Sequence, residues 1–366
     1  MSRRTRILAF AAVAALGLTW WLSVRDQVNL PLPDLSSVEP EVRDHLERVR
    51  ADALAHPNFE SLMQLGRSYQ AQGIIEETLA VYRLAEACGD DPFEPLYLRA
   101  VIQQTRDLED ARVSLETALA ARPASIHALV RMGETLVQLE RPLEAEQYYR
   151  RALAIDPEDA GAWLGIGRVE MARKNSLEAR RALQKSLEVN PKDGTAWSLL
   201  ATLLQREGRR DEARKAGDRG RGLRGNRAKL DPYTDAVHAA NPSSSGLRWR
   251  ANVAASRGQL EEASRLMVET LKRRPNDASA WVEFGLIQLQ QRRFEDARRS
   301  ARKARELEPD SAGACELEAT AFGLEGRVPE AITTLRKGLE AQPESISLMA
   351  SLAAAIYPTE PDEALK

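Results

Sequence analysis

Cysteine, histidine and aromatic residues are all scarce in this chain, and each shortage removes a class of function. Two cysteines, Cys88 and Cys315, stand far apart in 366 residues. They form no C-x-x-C pair and no metal-ligand spacing, so they read as small buried side chains. Four histidines, His45, His56, His127 and His238, are scattered singly, and neither a metal site nor any other cofactor is expected. No Ser/His/Asp arrangement and no carboxylate pair suited to acid–base work is present. The chain is therefore expected not to be an enzyme, and no catalytic residue is assigned. An excess of one charge is lacking too: Lys+Arg number 52 against Asp+Glu 54, a formal charge of −2, so no global field draws in nucleic acid. Aromatics make up 5%. What is abundant is Ala, Leu, Glu and Arg, which favour helices throughout. With 43% hydrophobic and 29% charged residues, the composition fits a folded helical protein.

One long uncharged run exists, Ile7 to Val24, after Arg3, Arg4 and Arg6. Eighteen helical residues reach roughly 27 Å, close to a hydrocarbon core of about 30 Å. Trp20 and Trp21 fall where an interfacial aromatic belt would sit, and the arginines predict a cytoplasmic N-terminus. Residues 1–25 are thus expected to be an uncleaved signal-anchor in an inner membrane, with the rest of the chain on the periplasmic side. A cleaved signal peptide is the competing reading; the small residues Ala12-Val13-Ala14 lie mid-run, where cleavage would leave Leu16–Trp21 exposed. Residues 26–37, with two prolines and no periodicity, read as a tether.

The rest of the chain is organised by a period of 34. Pro123, Pro157 and Pro191 keep that interval, and so do Pro275, Pro309 and Pro343. Ala111, Ala145, Ala179 and Ala213 repeat it, as do Ala263, Ala297 and Ala331, and Trp163 with Trp197. Between Ala160 and Pro191 one unit shows its logic. Trp163, Leu164, Ile166 and Gly167 share one face of a first helix, a turn follows around Lys174-Asn175-Ser176, and Leu177, Ala179, Leu183 and Leu187 line a second. Small residues such as Gly167, Ala179 and Ser186 permit close helix approach.

These residues, W-x-x-I-G followed by Ala179, Leu183, Ser186 and Pro191, resemble the tetratricopeptide repeat family. The resemblance covers roughly residues 40–366. It implies an all-α fold: an α-solenoid of helix pairs wound as a right-handed superhelix, preceded by the transmembrane helix. Repeats are placed near residues 59, 92, 126, 160, 194, 244, 278 and 312, with a first helix of a ninth at Ile346. Residues 38–57 read as a lone capping helix with Val42, Leu46, Val49 and Ala53 on one face. The resulting segments are 38–227 (cap and five repeats), 228–243 (insert) and 244–366 (the remaining repeats).

The insert follows from arithmetic: Trp197 to Trp281 and Pro191 to Pro275 are both 84 residues, sixteen more than two repeats. Just before it, Gly220–Gly225 reads G-R-G-L-R-G, a literal dinucleotide fingerprint. That fingerprint must follow a strand and open a helix so that helix N–H groups meet a pyrophosphate. Here it ends a helix, so no nucleotide is expected. Gly217, Gly220, Gly222 and Gly225 read instead as a weakened helix end and hinge. From Arg206 to Lys229 there are ten basic and four acidic residues, a local excess that serves either a solvated helix end or an anionic partner. Asp231 to Ser245 reads as an excursion with one short helix at most.

In the resemblance, the concave face of first helices binds peptide or a partner helix. Its groove positions fall on Met63, Arg67 and Gln70; Leu96, Ala100 and Gln103; Val130, Glu134 and Val137; Leu164, Arg168 and Met171; and Ser198, Thr202 and Gln205. The Lys/Asn pairs with which chaperone-binding members hold a C-terminal carboxylate are absent from them. The implied function is a membrane-anchored scaffold that gathers protein partners of an envelope complex. The alternative is an accessory subunit of an envelope enzyme system, such as cytochrome maturation or polysaccharide export.

Overall fold

The structure, a computed structural model, describes residues 30, 32–36, 38–89, 91–221, 223 and 231–356. The expected membrane segment, with Arg3, Arg4, Arg6, Trp20 and Trp21, lies outside the described residues. Among those described, no helix is long and apolar enough to cross a membrane. They contain nineteen helices and no strand, the helix-pair solenoid that the period implies. The chain divides into two units, the first ending at Ala240 and the second beginning at Asn241.

In the first unit α1 (Pro40–Ala55) precedes five helix pairs. These are α2 (Phe59–Ala71) with α3 (Ile75–Cys88), α4 (Phe93–Gln103) with α5 (Leu108–Ala121), and α6 (Ile126–Gln138) with α7 (Pro142–Ile155). Then come α8 (Ala160–Ala172) with α9 (Ser176–Val189) and α10 (Gly194–Arg206) with α11 (Arg210–Gly220). A short α12 (Pro232–Ala239) completes the unit. The second unit pairs α13 (Ser244–Ser256) with α14 (Leu260–Arg273), α15 (Ala278–Gln290) with α16 (Phe294–Leu307), and α17 (Ala312–Leu324) with α18 (Val328–Ala341). It closes on α19 (Ile346–Ile356). Val42, Leu46, Val49 and Ala53 form the buried face of α1. The tether reading needs correction at its end: Leu30 and Pro33 are buried, and Arg50 donates to the Leu30 carbonyl at 2.9 Å. Leu30 and Pro33 therefore pack on the fold, while Leu32, Asp34 and Ser36 are exposed.

Two devices set the period. First helices start on side-chain caps: Asp159, Asp193 and Asp277 accept from backbone N–H groups of the first turn, and Ser125 and Ser311 do the same. Each removes an orphan donor. Just upstream, the Trp163, Trp197 and Trp281 indoles donate to the carbonyls of Pro157, Pro191 and Pro275, each at 2.8 Å. Tryptophan and proline therefore share a register because one bonds the other. Most second helices begin without a side-chain cap, out of a left-handed turn. Gly73, Glu140, Lys174, Gly208, Gly258, Arg292 and Gly326 all have positive φ. The next residue's N–H reaches back to the closing carbonyl of the first helix, as in Arg141 to Leu136 and Asn175 to Glu170, which is the Schellman arrangement.

Within each unit, every second helix packs on its own first helix and on that of the next repeat. First helices also touch one another, α6 with α8 and α8 with α10, and in the second unit α15 with α17 and α17 with α19. The side on which successive elements approach is the inner curve of a solenoid, so each unit presents its first helices there. Large side chains fix the spacing. The Tyr149 ring is wedged against Gly133 and Gly165, where added Cβ atoms would come within 2.5 and 2.3 Å of it. Ala179 and Leu183 are fully buried. Gly220 approaches Trp197 closely, and a Cβ there would lie 2.8 Å from the Trp197 Cβ. Gly217 meets open space, while Gly222 and Gly225 lie outside the described residues.

Candidate functional site

The inner face of the first unit divides in two. In α10 the expected groove positions Ser198, Thr202 and Gln205 are exposed, and in α8 Leu164, Arg168 and Met171 are half-buried, Leu164 and Met171 against an apolar cluster. In the first two repeats the same positions are closed. Met63, Leu96, Ala100 and Gln103 are buried. Gln70 accepts from the Tyr82 hydroxyl at 2.7 Å and Gln103 from Ser114 at 2.7 Å. Arg67 pairs across the repeat boundary with Glu94 at 2.7 Å. In the third repeat Val130, Glu134 and Val137 are half-buried, the two valines against the main apolar cluster.

The first three repeats hold part of the stretch from Asp231 to Ser245, expected to be an excursion. Helix α12 packs on α2 and α4, and its Val237 joins the cluster that contains Met63, Leu96 and Ala100. Asp231 caps α12, one carboxylate oxygen accepting from the N–H groups of Tyr233 and Thr234 at 3.1 and 3.4 Å. Its other oxygen accepts from the Tyr97 hydroxyl at 2.7 Å and from Arg131 at 3.2 Å. Arg131 also donates to the Tyr97 hydroxyl at 2.6 Å and to Gln104 at 2.9 Å. Asp231 and Arg131 are 6% and 14% exposed, so the pair is shielded from solvent and its geometry counts. Burial drives the Asp231 carboxyl up, but the Tyr97 bond and the Arg131 charge outweigh it and hold the group below its usual range. Burial pushes the Tyr97 hydroxyl up, so it stays protonated and donates.

Next to this polar knot lies an aromatic cradle. Phe93 and Tyr97, one turn apart on α4, stack at 5.7 Å. The Tyr233 ring tilts against both at 5.2 and 5.1 Å and meets His127 edge-on at 6.2 Å. Arg122 lies 4.7 Å over the Phe93 ring and donates to the Tyr233 hydroxyl at 3.0 Å, while Asp91 accepts from its Nε at 2.8 Å. Phe93, Tyr97, Arg122, Arg131, Asp231 and Tyr233 were not foreseen as site residues. The signal available was Phe93 and Tyr97 at an i, i+4 spacing in a chain with only six Phe and seven Tyr. Burial raises the pKa of both cysteines, which makes them weak nucleophiles. Among the described residues, no group of three His, Cys, Asp or Glu is arranged to hold a metal ion.

The family model described as "Tetratricopeptide repeat" matches residues 104–160 and 136–193, and a second of the same description matches 249–312 and 282–346. Together they span just over half of the chain. The chain belongs to the tetratricopeptide repeat family. Solved structures with which it aligns include MamA from Desulfovibrio magneticus (19% identity over 49% of this chain and 95% of that one, TM-score 0.41). A tetratricopeptide repeat protein from Parabacteroides merdae aligns at 16% identity over 81% and 98% of the two chains, TM-score 0.37. YrrB, described as a tetratricopeptide protein with an unusual peptide-binding site, aligns at 16% identity over 64% and 95%, TM-score 0.25. No curated protein matches the chain.

Proposed function

We propose that this tetratricopeptide repeat protein is a non-catalytic scaffold that binds protein or peptide partners along its first helices. In this reading its N-terminal segment anchors it in a bacterial-type inner membrane, and the repeats gather components of an envelope complex on the periplasmic side. The observation that carries the binding part is the accessible inner face of α8 and α10, where Ser198, Thr202 and Gln205 are exposed and Arg168 is half-buried, beside Leu164 and Met171 packed on the apolar cluster. Mixed apolar and amide lining on a rigid helical frame suits an extended peptide or a partner helix. The anchor rests on Ile7–Val24 and its flanking arginines alone.

The test is cross-linked affinity capture of the full chain from solubilised membranes, beside an Arg168→Glu/Ser198→Glu/Thr202→Glu variant. One or a few proteins captured by the wild type and lost in the variant support the scaffold. Identical capture by both counts against the inner face as the working surface. A compartment reporter fused after Lys366 tests topology, and cytoplasmic activity there would remove the exported reading.

A further inference from the structure

We propose that the inner face of the first three repeats recognises a specific kind of segment, and that α12 is its exchangeable occupant in cis. The segment is a helix start with an acidic cap, an aromatic two residues later and an aliphatic residue six after the cap. In α12 these are Asp231, Tyr233 and Val237. The partner is a protein bearing the same pattern. This rests on the scaffold reading and names what one part of its groove reads.

Four observations lead there. Helix α12 lies in the insertion between two stretches that each keep the 34-residue period, so the repeats do not need it to continue their stacking. It has eight residues, too few to be stable alone in water, and its docking therefore holds it. Its attachment runs through few side chains: Asp231, Thr234 and Val237 are buried and Tyr233 is half-buried, while Pro232, His238 and Ala239 are exposed. Finally, the receiving residues are held by bonds among themselves as well as by α12. Tyr97 is oriented by the Arg131 Nε and by stacking on Phe93, Arg131 is held by Gln104, and Gln104 donates to Thr135 at 2.9 Å. Without Asp231 this cradle presents a guanidinium and a phenol with a carboxylate-sized opening beside an aromatic surface. A buried cation left unpaired is costly, so an acidic aromatic segment is the occupant the site selects. A tethered segment competes at an effective concentration on the order of millimolar, so an external partner binds well only where α12 is released or outcompeted.

The experiment uses a fluorescent peptide with the sequence of residues 230–241 and the full-length solubilised protein, read by anisotropy. The wild type and an Asp231→Ala/Tyr233→Ala variant are compared at equal helicity by circular dichroism. A site occupied in cis for nine-tenths of the time or more lowers the apparent affinity by about ten-fold or more. The variant should therefore bind the peptide at least about ten-fold more tightly than the wild type, and a peptide with Ala in place of its tyrosine should lose that binding. Equal binding by both proteins, or none by a folded variant, overturns the proposal. Hydrogen exchange on the wild type supplies a measurement independent of the variant. Amides of α12 exchanging faster than those of α4 and α6 support an exchangeable occupant, and exchange only through global unfolding overturns it. A concentration-dependent dimer abolished by Tyr233→Ala would assign the site to a second copy and also overturn it. If the peptide fails while partner capture still responds to the α8 and α10 substitutions, this inference falls and the scaffold reading stands.

Discussion

Replacing Gly165 with alanine sets two physical effects against each other. On helix propensity alone the change stabilises α8 by about 1 kcal/mol. The packing says otherwise. An added Cβ would sit 2.3 Å from two carbons of the Tyr149 ring, and that ring has little room to retreat, because it also lies against Gly133, where a Cβ would meet it at 2.5 Å. Tyr149 is fully buried, so relief requires α6, α7 and α8 to shift together. Overpacking of this kind costs about 1–3 kcal/mol, and with the propensity gain deducted a net loss of up to about 2 kcal/mol remains. For a unit of this size the thermal midpoint should fall by about 2–4 °C per kcal/mol. Thermal and urea unfolding followed by far-ultraviolet circular dichroism would measure it. A double-mutant cycle with Tyr149→Leu sharpens the test, since shrinking the ring should remove the clash and give a coupling of at least about 1 kcal/mol. A midpoint that rises in Gly165→Ala, or additive effects in the cycle, would refute the wedge.

Other outcomes follow from the same packing. Tyr149→Phe deletes a buried hydroxyl that finds no hydrogen-bond partner among the described residues, and stability should be unchanged or higher by about 1 kcal/mol. Lys174→Gly and Arg292→Gly, at left-handed turn positions with φ of 64° and 61°, should each stabilise by about 0.5–1 kcal/mol in denaturant titrations, and Gly208→Ala should do the reverse. Trp163→Phe removes the indole bond to Pro157 and should cost about 0.5–1.5 kcal/mol, in the same range as Trp197→Phe. Docking of α12 should depend on acid. The Asp231 pKa is lowered from 3.8 when docked, so its contribution is complete above that ordinary value and is lost as pH falls through the lowered one. Hydrogen exchange of α12 compared at pH 5 and below about pH 3.8 should show this loosening, and Asp231→Asn should flatten it.

The repeat period was legible because the residues that set it touch each other: the prolines accept from the tryptophans, and the small residues admit close neighbours. The left-handed turns keep the same interval through Glu140, Lys174 and Gly208, and again through Gly258, Arg292 and Gly326. A reading by glycine content misses them, because three of those six are not glycine. Asp231-Pro232 carries a visible helix-start signal. Where α12 docks was not legible, since the Tyr97–Asp231 bond spans 134 residues and no local pattern encodes so distant a pairing. Of the groove positions carried over by register, Ser198, Thr202 and Gln205 in α10 are exposed, while Leu164 and Met171 in α8 pack on the apolar cluster. The carried-over positions fail as open surface in the first two repeats, where α12 docks and where Gln70 and Gln103 answer buried hydroxyls.

Whether partners bind on the inner face of the repeats is read directly by site-specific photo-cross-linking in intact membranes. One probe replaces Thr202 on the inner face of α10, and another replaces Lys185, exposed on α9 and paired with Glu188. Discrete protein adducts should form from position 202 and be weak or missing from position 185. Adducts from 185 alone, or the same adducts from both, would contradict binding on that face.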